Sequence, residues 1–337
     1  MSEAQDALGL MYDLADSSFV PSRKDPVHWL SKDLKARFGG PVRKAGLDAG
    51  GACPNRDGTL GQGGCAWCDP GGSGPDDPVS GEAWEDRLER LARRAAGSGY
   101  AGVVAYFQAF TATYALRPLE LEARARRALA VPGVVGLAFA TRPDCLDPEQ
   151  AVVLGRLAHE TLLWVELGMQ TAHDETLAAM NRGHGHAETA RAARDLRSAG
   201  VRTVLHLILG LPGEDAPAVR TSLAEAARLQ PWGVKIHPLH VVKGSALARR
   251  WKDGRLALPD LQWYAALAAD AIEMIAPSVT VHRLTGERPP SMLLAPEWCR
   301  DKRRTLGAIL SELARRKSWQ GRRWMPPPLA SAMEKPA

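Results

Sequence analysis

From Val42 onward, short apolar runs rich in β-branched residues alternate with longer stretches whose apolar residues recur every three or four positions. The short runs predict strands at 42–47, 102–107, 134–140, 162–167, 202–209 and 234–237. The longer stretches predict helices at 82–96, 118–130, 187–199, 216–229 and 260–275. In the first helix Trp84, Leu88, Leu91 and Ala95 share one face, while Asp86 with Arg90 and Glu89 with Arg93 form i,i+4 pairs elsewhere. Gly200 follows the 187–199 stretch at the C′ position, where glycine ends helices, and a strand begins at once. Residues 1–36 show weak periodicity, contain Pro21 and Pro26, and read as an extension or lead-in helix.

Strand and helix in regular alternation predict a parallel α/β sheet. The polar residues choose its form. Unusual side chains follow the first strand (Cys53), the second (Gln108, Thr111), the fourth (Gln170), the fifth (Gly210 to Glu214) and the sixth (His237, His240). Chemistry at the C-terminal ends of many strands marks a barrel mouth. A dinucleotide fold would concentrate it in one Gly-x-Gly-x-x-Gly turn, and the sequence has no such turn. The expected architecture is therefore a partial (β/α)6-type barrel over 37–290, with an N-terminal extension over 1–36 and a basic C-terminal segment over 291–337.

Composition narrows the setting. With 337 residues, 45% hydrophobic and 24% charged, the chain is a folded protein rather than a disordered or fibrous one. No apolar run reaches the roughly 20 residues that cross a bilayer, and the first residues do not form a signal peptide, so a cytoplasmic protein without membrane contact is expected. Five cysteines do not make a disulfide scaffold. The net charge of +5 is unevenly placed: from Glu297 to Ala337, ten Lys or Arg stand against four Asp or Glu. The surplus, together with Trp319 and Trp324, suits phosphate contact and base stacking, or else a solvated helix face and a frayed end at Met325-Pro-Pro-Pro.

The strongest signal lies in the glycine-rich loop after the first strand, Cys53-Pro-Asn-Arg-Asp-Gly-Thr-Leu-Gly-Gln-Gly-Gly-Cys65-Ala-Trp-Cys68. Three thiols in one loop can hold zinc with one position open, or a four-iron cluster with one iron free. A thioredoxin-like pair lacks the glycine lead, and buried thiols are the bland reading. The spacing favours metal, iron–sulfur ahead of zinc. His237 and His240 suit either substrate contact or a structural role, and Cys145 and Cys299 read as buried thiols.

This loop resembles that of the radical S-adenosylmethionine superfamily in its Elongator-related branch, and more closely that of the YhcC/YtqA-type radical SAM proteins. The resemblance runs from about Arg37 to about Cys299. It continues through Ala105-Tyr-Phe-Gln-Ala-Phe-Thr, Thr141-Arg-Pro-Asp-Cys, Glu166-Leu-Gly-Met-Gln-Thr-Ala-His, Met180-Asn-Arg-Gly-His, Leu209-Gly-Leu-Pro-Gly-Glu and Lys235-Ile-His-Pro-Leu-His-Val-Val-Lys. It implies that Cys53, Cys65 and Cys68 hold a [4Fe–4S] cluster whose open iron chelates S-adenosylmethionine. One electron from a flavodoxin- or ferredoxin-like reductant would then yield a 5′-deoxyadenosyl radical that takes hydrogen from the substrate. Gln108 to Thr111 stand where the superfamily places an acidic turn for the methionyl amine, and this chain has no acid there. By the same resemblance Glu166 and Gln170 face the ribose, Arg182 the methionyl carboxylate, and Gly210, Pro212 and Gly213 the adenine.

The family further suggests tRNA wobble uridine as substrate, met by the basic C-terminal segment. The forty or so residues after Glu297 are few for an acetyltransferase domain of the Elongator type, so acetyl transfer is not expected. Radical chemistry on a small molecule or a protein, and a non-enzymatic metal-stabilised RNA-binding module, are the alternatives.

Overall fold

The computed structural model describes residues 19–72, 74, 81–286 and 288–326. The first eighteen residues of the expected extension, and Pro327 and Pro328, lie outside the described residues. All six expected strands are present: β1 (Val42–Leu47), β2 (Gly102–Phe107), β3 (Val134–Thr141), β4 (Leu162–Gln170), β5 (Arg202–Leu209) and β6 (Gly233–Pro238). A short ribbon strand β7 (Val241–Val242) follows, then β8 (Thr280–Arg283) and β9 (Leu293–Ala295). The main sheet has seven strands in the order β1-β2-β3-β4-β5-β6-β8, every pair parallel. It curls into a partial barrel whose two ends are β1 and β8, one strand wider than expected.

The helices are α1 (Leu30–Phe38), α2 (Trp84–Ala96), α3 (Pro118–Leu129), α4 (Pro148–Glu160), α5 (Asp174–Ala179), α6 (His186–Ser198), α7 (Ala216–Arg228), α8 (Ala246–Lys252), α9 (Leu261–Met274) and α10 (Lys302–Arg315), and those between the strands of the main sheet cover its outer face. Aspartates start several of them. Asp147, Asp215, Asp260 and Asp301 each accept a backbone N–H from the third residue of their helix, satisfying donors a helix start leaves open.

The strands explain their own composition. Along β2 to β5 one set of alternate residues, including Val103, Ala105, Phe107, Leu137, Phe139, Leu163, Val165, Leu205 and Leu207, packs against the helices in the main core. The other set faces the lumen, and its character changes along the strand. At the N-terminal end Val104, Ala138, Trp164 and Val204 form a second apolar cluster with Leu30 and Leu34 of α1 and with Trp232. Thus α1, which spans the 36/37 boundary drawn from sequence, plugs the bottom of the barrel; burying each leucine contributes about 2 kcal/mol. Above that plug the inward residues turn polar, and there the functional groups gather.

The seam between β1 and β8 is dressed by chain from both flanks. Val281 donates its N–H to the His28 carbonyl at 2.7 Å, and Trp29 bridges Val281 in parallel. Gln320, fully buried, accepts the His28 N–H at 2.8 Å and donates to the carbonyls of Ala276 and Val279 at 2.8 and 2.7 Å. The C-terminal segment lies against α9, where Arg316 and Arg323 both pair with Asp270 and Glu273. Part of the basic surplus read from the sequence is neutralised within the fold.

Candidate active site

The cysteine loop leaves β1 at the barrel mouth and is held by backbone. Cys53 accepts the N–H groups of Arg56 and Asp57 at 2.8 and 3.2 Å, and Cys68 donates its N–H to the Cys65 carbonyl at 2.9 Å. The Met180-Asn-Arg-Gly turn pins the loop from the other side. Ala66 donates to the Met180 carbonyl at 2.9 Å, Asn181 donates to Gly64 at 2.9 Å, and buried Asn55 donates to the Asn181 carbonyl. Two N–H donors point at the buried Cys65 sulfur: Arg182 Nη1 at 3.4 Å and Asn55 Nδ2 at 3.7 Å.

Charge reinforces this. Cys65 sits well below the ordinary thiol range, first because Cys68 donates to it and then because Arg182 and Arg142 stand nearby, against the opposing effect of burial. Cys145 and Cys299, by contrast, are pushed up to about 12 by burial, as expected of inert thiols. Among the described residues no three His, Cys, Asp or Glu side chains converge as a single metal ion would require.

Three thiols with an open position do fit the donor set of an iron–sulfur cluster. Buried guanidinium atoms beside them strengthen the fit: Arg182 Nε and Arg142 Nη1 have no hydrogen-bond partner among the described residues. Orphaned donors of this kind suit an incoming anion, such as a carboxylate. Arg182 reaches its place because position 168 is glycine. A Cβ there would lie 2.5 Å from Arg182 Nη2 and 2.7 Å from Gln170 Nε2.

Beside the loop opens a cavity of about 400 Å³ lined by Cys68, Gln108, Gln170 and Arg182 at the rim and by Lys44, Tyr106, Glu166, His206, Lys235, His237 and His282 deeper in the barrel. Gln170 ends β4 in the left-handed region at φ 67°, which carries its side chain over the mouth. Thr111, expected beside Gln108, is buried, and its hydroxyl has no partner among the described residues; Phe110 lines the cavity instead. Gly210 and Gly213 both have φ 91°. Gly213 borders a separate cavity with Glu214, while Ile208 and Leu239 form the nearby wall of the main one. His240 also lines the main cavity.

Glu166 is the hub of the floor. Its Oε2 accepts from Tyr106 at 2.6 Å, meets His206 Nε2 at 2.7 Å and lies 3.0 Å from Lys235 Nζ. Its Oε1 accepts from Trp164 Nε1 at 3.1 Å and faces Lys44 at 3.5 Å. Burial alone would raise its pKa, but Lys235 and Lys44, with His206 and His282, hold it well below the usual carboxylate range. Burial pushes Lys235 down to about 7 although Glu166 opposes it, so its amine exchanges a proton near neutrality. Of these groups the sequence singled out Glu166, Gln170, Arg182 and the two strand-end histidines. It missed Lys44, Tyr106, His206, Lys235 and His282, whose common signal is a polar residue at an inward position of a strand buried on both faces.

Burial also pushes His206, His240 and His282 down to about 3, 4 and 4. Unfolded, each takes up a proton near pH 6.5. Between about pH 6.5 and pH 4 the unfolded chain binds more protons, so stability rises with pH there and is lost on acidification. The urea midpoint is expected to fall between pH 7 and pH 5, with a flatter dependence in His206→Gln. A midpoint that rises on acidification contradicts this.

The fold and the cysteine loop define a class whose members are already known. Residues 52–225 match the family described as the Radical SAM superfamily, and residues 231–315 its Radical_SAM C-terminal domain. The chain belongs to the radical SAM superfamily and is a radical SAM enzyme, which sets aside the non-enzymatic RNA-binding module. It is 39% identical over 302 residues to the uncharacterized protein YtqA of Bacillus subtilis, covering 88% of this chain and 92% of that one. It is 37% identical over 308 residues to protein YhcC of Escherichia coli, covering 89% and 97%. A tRNA uridine(34) acetyltransferase of Dehalococcoides mccartyi is 31% identical over 164 residues, 48% of this chain and 35% of that protein. Among solved structures, the Elp3 of Methanocaldococcus infernus shares the fold at a TM-score of 0.60 and 18% identity, covering 82% of this chain and 63% of that one. No helix among the described residues is long and apolar enough to cross a membrane.

Proposed function

We propose that Cys53, Cys65 and Cys68 hold a [4Fe–4S] cluster, that S-adenosylmethionine occupies the rim of the cavity, and that the substrate is the wobble uridine of a tRNA. When bound and reduced by one electron, these groups supply a 5′-deoxyadenosyl radical that takes hydrogen from the substrate. The protein's own work is to place, charge and dry the site. Arg182, with an unused buried N–H, receives the methionyl carboxylate. Gln108 and Gln170 offer hydrogen bonds at the rim in place of the missing acid, with Thr111 behind Gln108. Ile208 and Leu239 wall the adenine side, and the turn of Gly210, Pro212 and Gly213 that follows Ile208 supports that wall from outside the cavity. Glu166, already committed to six neighbours, fixes the charge of the floor instead of reaching outward to the ribose. Lys235 holds or releases a proton at Nζ next to Tyr106, 3.1 Å away, where a substrate in the lumen would sit.

The observation that carries the tRNA reading is the similarity to tRNA uridine(34) acetyltransferases over 164 residues. An anticodon-loop base is single-stranded and can be turned out of its stack, and a cavity of about 400 Å³ admits such a group but not a helix. The reductant is a flavodoxin- or ferredoxin-like carrier of the cytoplasm. The reconstituted, reduced enzyme is expected to form 5′-deoxyadenosine faster with unmodified tRNA, by about tenfold, and to change the mass of the wobble uridine in digested tRNA. A rate indifferent to tRNA, but raised by a small molecule or peptide, overturns the substrate and leaves the radical chemistry standing.

A further inference from the structure

The basic C-terminal segment is not where unbalanced charge meets the cysteine site. Helix α8 carries Arg249, Arg250 and Lys252 in its last turn, and Lys243 lies just ahead of it. Lys243, Arg249 and Lys252 are exposed and Arg250 is half-buried. None of the four forms an ion pair among the described residues. In the C-terminal segment Arg315, Arg316 and Arg323 are paired with Glu312, Asp270 and Glu273, while Arg303, Arg304 and Lys317 are exposed without an ion pair among the described residues; what sets α8 apart is its place beside the cysteine turn. One cation suffices to offset the partial negative charge at a helix end; three more need another explanation.

The position of α8 supplies it. Leu247 donates its N–H to the Ala66 carbonyl at 3.0 Å, and Ala66 and Trp67 are the two residues between Cys65 and Cys68. Ala66, Leu247 and Ala248 belong to one apolar cluster, against which both Trp67 and Trp251 pack. The exposed basic face is therefore the outer side of a packed unit whose inner side is the Cys-x-x-Cys turn. A phosphate backbone needs no such link, whereas an electron donor must come close to the metal site.

We propose that α8, with Lys243, is the docking surface for an acidic, low-potential one-electron carrier protein. The inference rests on the cluster proposed at Cys53, Cys65 and Cys68. The carrier is oxidised by one electron, which enters at the cysteine site, and no atom is transferred. Charge complementarity sets the encounter, so affinity falls with salt.

The test compares the reconstituted wild type with Arg249→Glu/Lys252→Glu, both changes lying on exposed positions. Binding of an acidic flavodoxin is measured by calorimetry at low and physiological salt, and 5′-deoxyadenosine is measured with flavodoxin or with dithionite as reductant. The variant is expected to bind flavodoxin about tenfold more weakly at low salt and to lose about tenfold in the flavodoxin-driven rate. Its dithionite-driven rate and its affinity for single-stranded RNA should be unchanged. Equal flavodoxin binding in the two proteins overturns the proposal. So does an equal loss with both reductants, or a loss of RNA affinity in place of flavodoxin affinity. A wild type that binds flavodoxin but forms no 5′-deoxyadenosine with dithionite refutes the cluster reading and not the docking surface.

Discussion

Cys65→Ala is expected to abolish iron–sulfur reconstitution and 5′-deoxyadenosine formation. Cys65 is the buried thiol onto which Arg182 and Asn55 direct their N–H groups, so its loss removes a proposed ligand and strands both donors. Groups that merely support a ligand are worth 10–100-fold; loss of the ligand itself is expected to cost more than about a hundredfold. Cys299→Ala is the matched control, since that thiol is buried in the body of the protein and raised to about 12. Iron and sulfide content, with low-temperature EPR of the reduced protein before and after S-adenosylmethionine, reads out both. A Cys65 variant that keeps a full cluster, or a Cys299 variant that loses it, removes the proposed ligand set.

The second large effect is on stability. Glu166→Leu leaves Lys235 and Lys44 in the lumen without their carboxylate and takes the acceptor from Tyr106, His206 and Trp164. Breaking one side of a buried ion pair costs about 3–5 kcal/mol, a large share of the stability of a typical domain. Lys235→Met removes the stranded ammonium, so the double variant Glu166→Leu/Lys235→Met is expected to recover part of that loss. Urea midpoints at pH 6, below the Lys235 value of about 7, measure the series. A single variant within about 0.5 kcal/mol of wild type would mean that the hub is not a structural element, and the floor would have to be reread.

The two halves of the site were unequally legible. The cysteine loop announces itself because its proposed ligands are close in sequence and their spacing points to metal. The floor is assembled from one or two residues on each of six strands, from Lys44 on β1 to His282 on β8, and only the curl of the sheet brings those residues together. Alternation within strands would have pointed to them, since a lysine or histidine inside a run such as Val234-Lys-Ile-His belongs inward or not at all. Helix α4, absent from the expected helices, does carry a local signal, with Asp147 and Gln150 closing a capping box. Strand β8 has only four residues, too short to show a period. The C-terminal charge surplus was legible as a count but not as a surface: Asp270 and Glu273, which quench part of it, lie on a different helix.

Gln320 gives the barrel a history as well as a shape. It joins His28 across 292 positions of chain, and it also fastens the turn that leads into β8. A contact that spans so much sequence is reached only after the local βα units have formed, because closing a long loop costs entropy before the bond returns any free energy. Until then the β8 edge shows its unpaired N–H and C=O groups, a surface to which another chain can add. The vulnerable moment for this protein is therefore an interval in folding, not a place on the finished molecule. It ends when one glutamine side chain closes the seam.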